Sequence, residues 1–343
     1  METVMITIKD VARKCGVSIS TVSNVLNDVP TVNKAIRQRV LKVVRELNYK
    51  PNRIAQSLVS GYTETLAFIL PDISNPFFPE LIRGATDRAT MSGYDLFLGN
   101  IVKNSREIEY IRHFVSLGID GLIIATSEYE EYTQEEIDQI TSLSIPIVMV
   151  DRDLKGLERD LVILDNIQCA QTLMNHLINL GHKRIGMILG PLHTLTAYER
   201  LEGGKRALQE HGLFKNELVK VGDFSLESGF RTMQTFFTDG IEVDAIFCVN
   251  DVIAIGAIKA IEQAGYRVPE NIAVAGFDDL FISSLIKPTL TTIRQPTYEI
   301  GSIAVNLIIE RINGTATSLP RKVILPGELI VRESTVKSNS TSS

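Results

Sequence analysis

The first fifty residues have apolar side chains at every third or fourth position, a spacing typical of amphipathic helices. Thr7 and Asp10 have the spacing of a capping box, which predicts a short helix ending near Cys15. Gly16-Val17-Ser18 predicts a tight turn with a new N-cap at Ser18, followed by a second helix over residues 21–26. A three-residue turn between two short helices predicts a helix-turn-helix.

A third helix is predicted after Asn33, because the apolar and basic residues that follow separate onto two faces. The apolar face comprises Ile36, Val40, Val43, Val44 and Leu47. The basic face comprises Lys34, Arg37, Arg39, Lys42 and Arg45. Two helices as short as the first pair cannot bury their apolar sides alone, so we expect the third to complete their core.

From Thr65 onward the pattern changes to short apolar runs that alternate with helical stretches. The runs are 66–70, 96–99, 122–125 and 147–150, and after residue 159 they resume at 162–164, 185–189, 219–222, 245–249 and 272–276. This alternation predicts α/β architecture, with parallel sheets covered by helices on both faces. Two series of similar length predict two doubly wound lobes with a ligand cleft between them.

These patterns predict the domain organisation. Residues 1–50 form the helix-turn-helix headpiece, 51–61 a connecting segment, and 62–335 the two-lobed domain, followed by a flexible polar tail at 336–343. The first lobe is expected over about 62–160 and 294–318, and the second over about 161–293 and 319–335.

Charge is distributed unevenly along the chain. Residues 1–61 carry ten Lys or Arg against four Asp or Glu, a balance of +6, whereas the remainder carries 25 against 37, a balance of −12. A basic head on an acidic body is expected when one end of a protein meets nucleic-acid phosphates. A basic surface without a partner is the alternative interpretation.

The three cysteines, Cys15, Cys169 and Cys248, are widely spaced, which supports neither a disulfide framework nor a zinc site. No signal peptide and no apolar run of membrane-spanning length is recognisable, so we expect a cytoplasmic protein that is not attached to a membrane. No nucleophile elbow, Walker loop or HExxH motif occurs, and the five histidines are scattered. No enzymatic activity, cofactor or metal is therefore expected.

The segments TIKDVARKCGVSISTVSNVLN and ELNYKPNRIAQSL closely resemble the headpiece and hinge of the LacI/GalR repressors. The resemblance implies that the second helix enters the major groove of operator DNA, with Ile19, Ser20 and Asn24 at base edges. Residues implied near the DNA phosphates are Thr7, Ser18, Thr21 and Ser23, and Asn27 is implied as a further DNA-binding residue. The alternative is that the exposed positions of this helix are merely solvated.

By the same resemblance, the segment after Pro51 is a hinge helix that folds on DNA. Asn52 would cap it, and Leu58 would wedge between base pairs in the minor groove beside Ala55. A passive linker anchored by Leu58 is the alternative.

The acidic body resembles the periplasmic sugar-binding-protein fold that serves this family as a sensor, and its likeness is greatest to ribose-binding proteins and ribose repressors. The resemblance implies three phenylalanines stacked on a sugar, namely Phe77, Phe78 and Phe224. The residues implied to bond its hydroxyls are Asn75, Asp151, Arg152, Asn166, Arg200, Asn250, Asp278 and Gln295. Two Arg against two Asp leave this set nearly neutral, which suits an uncharged polyol.

Pro71 and Leu164 stand where ribose binders commonly carry small polar residues, so a hexose, another pentose, a sugar acid or a purine remains open as the effector. A phosphoprotein partner is a further alternative, as is an ion pair of purely structural role between Asp151 and Arg152. The resemblance implies a homodimeric repressor of a carbohydrate-utilisation operon, released from DNA by its sugar. A transport-associated sugar-binding protein is disfavoured, because the headpiece motif is dense and no signal peptide precedes it.

Overall fold

The computed structural model describes residues 6–49, 61–101, 107–125, 132–153 and 156–336. The chain divides into two units, Met1–Thr63 and Glu64–Ser343. Within the described ranges, no helix is both long and apolar enough to cross a membrane.

Residues 6–49 of the smaller unit form three helices, α1 (Ile8–Cys15), α2 (Ile19–Leu26) and α3 (Lys34–Glu46). All three predicted N-caps are confirmed, at Thr7, Ser18 and Asn33. The Thr7 N–H donates to Asp10 Oδ2 at 3.0 Å, and Ser18 Oγ accepts from the Thr21 N–H at 3.1 Å. Because Ser18 is the cap, α2 begins at residue 19, two residues before its predicted start. The three helices bury one shared core: Val11, Ala12, Cys15, Val22, Val25, Val40 and Val43.

The first lobe of the larger unit is built on a six-stranded parallel sheet in the order β11-β5-β4-β3-β1-β2. Its strands are β1 (Thr65–Leu70), β2 (Asp95–Asn100), β3 (Gly121–Ile124), β4 (Ile147–Val150), β5 (Asp160–Leu164) and β11 (Lys322–Leu325). Its helices are α4 (Phe78–Met91), α5 (Glu107–Ser116), α6 (Gln134–Thr141) and α11 (Thr297–Ile312).

Strand β1 shows why these runs are apolar throughout. Leu66 and Phe68 pack in one core with residues of α4 and α11, whereas Ala67 and Ile69 pack in another with residues of α5 and α6. A strand covered by helices on both faces has no solvent side, so the alternation of apolar and polar residues is lost.

The second lobe has a four-stranded parallel sheet in the order β7-β6-β8-β9. The strands are β6 (Ile185–Leu189), β7 (Val219–Val221), β8 (Ala245–Cys248) and β9 (Ala273–Ala275). The helices are α7 (Asn166–Asn179), α8 (Leu195–Glu210), α9 (Leu226–Thr238) and α10 (Asp251–Gln263), with short 3₁₀ helices at Asn216–Leu218 and Phe281–Ser284. An antiparallel ribbon of β10 (Thr292–Arg294) and β12 (Glu328–Ile330) completes the lobe and was absent from the predicted strands.

The predicted boundary between the lobes needs two corrections. Strand β5, assigned to the second lobe from residue 161, pairs with β4 and β11 in the first, and residues 322–325 of the predicted second-lobe segment 319–335 also lie there. The Asp160 carboxylate is buried and accepts from the Arg311 guanidinium at 2.7 and 2.9 Å and from the Arg321 N–H at 2.8 Å. This ion cluster ties β5 to α11 and to the start of β11.

Helices α4 and α11 cross at two glycines. A Cβ added to Gly301 would lie 2.1 Å from the Leu81 carbonyl oxygen, and one added to Gly84 would lie 2.0 Å from that of Tyr298. Only glycine permits such an approach of two backbones.

We therefore expect Gly301→Ala to lower the free energy of unfolding by about 1–3 kcal/mol, because the helices must move apart to admit the methyl group. Urea denaturation of the full chain measures this loss. Ser302→Ala, on the next residue of α11, is the control. Equal stability of the two variants would contradict the close crossing.

Candidate functional site

The exposed side of α2 is the first candidate site. Ile19 is 44 % exposed and lies in the first turn, and Ser20, Asn24 and Asn27 are exposed as well. Because Val22 and Val25 hold the opposite face in the core, these four side chains point away from it.

Two of the predicted backbone contacts, Ser18 and Thr21, lie together at the start of α2. Ser18 Oγ lies 2.8 Å from Ser20 Oγ and 2.8 Å from Thr21 Oγ1. Thr21 and Ser23 are half-buried, and Thr7 is exposed at the start of α1. Hydroxyls and free amides at a helix N-terminus form a favourable environment for phosphate. Asn52, Ala55 and Leu58 of the hinge prediction lie outside the described residues.

The second candidate site is a cleft between the lobes of the larger unit. Ten residues line a cavity of about 40 Å³, and nine of them belong to the predicted sugar set. The lining residues are Asn75, Phe77, Phe78, Asp151, Arg152, Thr196, Arg200, Phe224, Asn250 and Asp278. Thr196 was not among the predicted ligand residues, although it lies in the matched segment from residue 196 to 203. It is buried one helical turn before Arg200.

Topology brings these residues together. Each follows the carboxyl end of a parallel strand, β1 or β4 in the first lobe and β6, β7, β8 or β9 in the second. The carboxyl ends of parallel strands share one edge of a sheet, so the loops of the two lobes face each other there. Gly190 makes room for an aromatic ring, because a Cβ at this position would lie 2.4 Å from the Phe224 ring.

The cavity is small for a ligand. Its 40 Å³ accommodates a few water molecules, whereas pockets for small molecules typically measure about 300 Å³ or more. Binding of a sugar-sized molecule therefore requires the lobes or the lining side chains to move apart.

Arg200 is the centre of the polar network in the cleft. It is buried, and its guanidinium lies 3.8 Å from the centroid of the Phe277 ring. Its Nη1 donates to the Val249 carbonyl at 2.7 Å and to Asp278 Oδ1 at 3.3 Å. Its Nε donates to Asn166 Oδ1 at 2.9 Å. Bonds along two directions fix the plane of the guanidinium.

Two members of the predicted sugar set, Asn166 and Gln295, do not line the cavity and instead bond to the residues of this network. The Asn166 amide accepts from Arg200 and donates to Glu199 Oε2 at 3.0 Å. Gln295 Nε2 donates to Asp278 Oδ1 at 2.6 Å. Both amides therefore orient the Arg200 and Asp278 side chains. Glu199 was not foreseen in the sequence, where it resembles any exposed helical carboxylate.

Asp151 and Arg152 line the cleft from the first lobe. Arg152 Nε lies 3.4 Å from Asp151 Oδ2, so the ion pair considered as an alternative to sugar binding does form. Both side chains nevertheless border the cavity. The two charges are therefore paired within the lining of the cavity.

Burial changes the acidity of two carboxyl groups in the second lobe. Burial raises the pKa of Asp278 to about 6, an effect opposed by Arg200 and Gln295 and increased by Asp151. Burial, together with the charge of Asp278, raises the pKa of Asp251 to about 8. Asp251 is completely buried and accepts from the Thr292 and Ser283 hydroxyls at 2.6 and 2.7 Å.

The raised pKa of Asp278 predicts how stability changes with pH. A carboxyl group with a higher pKa in the folded chain than in the unfolded chain stabilises the fold while protonated, and this stabilisation is lost as the pH rises through the folded value. We expect wild type to lose about 2 kcal/mol relative to Asp278→Asn between pH 4 and pH 7, since the amide stays neutral. Thermal unfolding of both proteins across this range is the measurement, with the exposed Asp239→Asn as control. A difference independent of pH would show that the carboxyl group has an ordinary pKa.

Comparison with known proteins covers both units. Residues 7–52 match the family described as bacterial regulatory proteins, lacI family. Residues 63–333 match that described as periplasmic binding proteins and sugar binding domain of LacI family.

Individual relatives align over nearly the whole chain. The transcriptional regulator RegA of Clostridium saccharobutylicum is 37% identical, covering 96% of this chain and 99% of RegA. The transcriptional repressor PurR of Haemophilus influenzae is 36% identical, covering 96% and 98%.

Two solved structures are also similar. A lac repressor dimer bound to operator and the anti-inducer ONPF has a TM-score of 0.87 at 27% identity, covering 96% of this chain and 99% of the repressor chain. A LacI-family regulator from Enterococcus faecium with bound ribose has a TM-score of 0.70 at 28% identity, covering 79% and 98%. This chain therefore belongs to the LacI family of DNA-binding transcriptional regulators, with a helix-turn-helix followed by an effector domain of the periplasmic-binding-protein type.

Proposed function

We propose that this regulator is a cytoplasmic homodimeric repressor that reads a pseudo-palindromic operator and is released from it by a small neutral sugar, D-ribose or a similar pentose. The observation that carries the proposal is the cleft, where aromatic rings and paired Asp and Arg side chains from both lobes surround one cavity. Regulators of this family are non-enzymatic, so the cleft serves to bind an effector.

The exposed residues of α2 suit the major groove. Asn24 offers a donor and an acceptor together, which matches the edge of adenine, and Ile19 can contact a thymine methyl. Ser18 and Thr21 would hold the start of the helix against phosphates. The hinge residues Asn52, Ala55 and Leu58 would add a contact in the minor groove.

Asn24→Ala should weaken binding to the preferred operator by about 5- to 150-fold, since one base contact contributes about 1–3 kcal/mol. Its affinity for unrelated DNA should stay the same. Gel-shift titration on a duplex selected from a random-sequence pool by the wild-type protein measures both affinities. Gln38→Ala on α3 is the control, because Gln38 is exposed and lies outside the proposed reading surface. Equal operator affinity of Asn24→Ala and wild type would remove Asn24 from base recognition.

Dimerisation is supported by apolar side chains that the single chain leaves exposed. Phe281 is 82 % exposed, and Ile282 and Leu285 beside it are exposed too. In the first lobe Phe97 and Leu98 are exposed on β2, the edge strand of the sheet. The similar lac repressor is a dimer on its operator. We therefore assign both patches to contacts with a second copy of this chain.

The chemistry of the cleft favours an uncharged polyol. Asp151, Asp278 and the two arginines balance in charge, whereas a phosphate or sugar acid would add negative charge beside two buried carboxylates. Phenylalanine rings suit the C–H faces of a sugar. The ribose-bound relative from Enterococcus faecium supports this choice of ligand.

A purine is the second candidate effector, because the phenylalanine rings of the cleft can also stack on a nucleobase. A purine would act as a corepressor that strengthens operator binding, the opposite response. The sign of the response therefore separates the two candidates.

D-ribose at one hundred times its dissociation constant should stabilise the wild-type chain by about 2.7 kcal/mol and should weaken operator binding. Thermal-shift measurements with D-ribose, hexoses, sugar acids and purines test the ligand class. Arg200→Gln should abolish the shift, whereas Arg206→Gln, an exposed position on the same helix, should retain it. A shift with a purine but with none of the sugars would overturn the proposed effector.

A further inference from the structure

The loop after β9 contains two adjacent aspartates with unusual backbone conformations. Asp278 has φ +116° and Asp279 has φ +56°, values that residues other than glycine seldom adopt. Asp278 faces the cleft, whereas Asp279 is not among the residues that line its cavity. A loop of this conformation persists only where surrounding contacts hold it.

The Asp279 carboxylate is held between two arginines. Its side chain is only 7 % exposed, with Oδ2 lying 2.7 Å from Arg294 Nε and Oδ1 lying 2.6 Å from Arg332 Nη2. Arg332 Nη1 also donates to the Leu290 carbonyl at 2.8 Å. Arg294 Nη1 in turn lies 3.2 Å from Glu328 Oε2. The Asp279 carboxylate is thus bonded to Arg294 and Arg332 and, through Arg294, to Glu328.

These partners lie at two of the places where the chain passes between the lobes. Arg294 is the last residue of β10, directly before residues 295–296 lead into α11 of the first lobe. Glu328 is the first residue of β12, directly after residues 326–327 return from β11. The returning segment is tightly packed, because a Cβ on Gly327 would lie 2.8 Å from Cys169 Sγ. Asp279 therefore bonds directly to the first of these crossings and, through Arg294, to the second.

The backbone of the same loop is joined to β10. The Asp278 N–H donates to the Ile293 carbonyl at 2.8 Å, and the Asp279 N–H donates to Thr292 Oγ1 at 3.3 Å. On the cleft side, Asp278 Oδ1 accepts from Arg200 and from Gln295, itself a crossing residue. A displacement of Asp278 by a ligand therefore moves Asp279 and the arginines bonded to it.

We propose that Asp279 is a positioning residue for effector response: it holds the Asp278 loop against both crossings and converts occupancy of the cleft into movement of the lobes. This role rests on the proposed function of the cleft. Asp279 does not line the 40 Å³ cavity, so its expected role is to position Asp278 and not to bind the effector. Replacement of the Asp279 carboxylate uncouples ligand binding from operator release, while the cavity remains lined by the same side chains.

The first test needs no effector. Hydrogen exchange of the full, ligand-free chain is compared for wild type, Asp279→Asn and Asp239→Asn, whose aspartate pairs with Lys220 away from the crossings. In Asp279→Asn we expect at least tenfold faster exchange at the Asp278 amide and in β10, with no change in β3 or β8. Unchanged exchange at the Asp278 amide, or equal acceleration throughout the second lobe, would overturn the proposal.

The second test measures coupling. D-ribose affinity is measured by calorimetry, and operator affinity by gel shift with and without saturating D-ribose. Asp279→Asn should bind D-ribose within about threefold of wild type, whereas the ratio of the two operator affinities should fall at least fivefold toward one. Asp279→Glu, which restores the negative charge, should recover part of the ratio. A full wild-type ratio in Asp279→Asn would overturn the role of Asp279.

The two tests separate two kinds of failure. If wild type does not bind D-ribose, the proposed effector is wrong, and the hydrogen-exchange comparison alone then decides the role of Asp279. If wild type binds D-ribose and responds to it, both tests apply to Asp279.

Discussion

Two neighbouring carboxylates removed from water are the constraint on which the effector domain depends. Asp251 is completely buried in the second lobe, and the side chain of Asp278 at the edge of the cleft is only 8 % exposed, so an ionised carboxylate at either position is costly unless donors surround it. The donors come from parts of the chain far apart in sequence: Arg200 on α8, Gln295 at a crossing, Thr292 on β10, and Ser283 and the Leu280 N–H at the 3₁₀ helix. Satisfying two acids therefore fixes the position of four elements around the cleft.

The same constraint explains why the cleft favours a neutral ligand that can donate hydrogen bonds. Asp151 approaches Asp278 from the opposite lobe closely enough to raise its pKa. A ligand that donates hydroxyl hydrogens to these acids reduces their repulsion, whereas an anion would increase it. The lobes therefore meet at a small cavity where the charges of the aspartates and arginines balance. A neutral polyol can bind there without changing the net charge of the cavity.

The sequence predicted those features that local chemistry determines. Caps at Thr7, Ser18 and Asn33 follow from short-range hydrogen bonding, and each predicted apolar run overlaps a strand of the two sheets. The predicted lobe boundary was wrong because the residues of an apolar run such as 162–164 do not indicate which of the two sheets the strand joins. That choice depends on Asp160 meeting Arg311 about 150 residues later. Asn166 and Gln295 illustrate the same limit, since residue type predicts a hydrogen bond but not whether its partner is a ligand or Arg200.

Lobe movement in this domain must take place at the crossings, since each sheet is locked by its own core. The described chain passes between the lobes at residues 164–166, 294–297 and 325–328. Each of the first two segments is bonded to a residue of the cleft. Arg200 bonds to Asn166 in the first segment, and Asp278 bonds to Gln295 in the second. The third is bonded to the first, because the Asp165 N–H donates to the Leu325 carbonyl at 3.0 Å, and it is linked to the Asp278 loop through Glu328, Arg294 and Asp279. Ligand contacts can therefore alter the first two crossings directly, whereas the third follows through its bonds to its neighbours, and the Asp279 carboxylate supplies the bond that leads to the Asp278 loop.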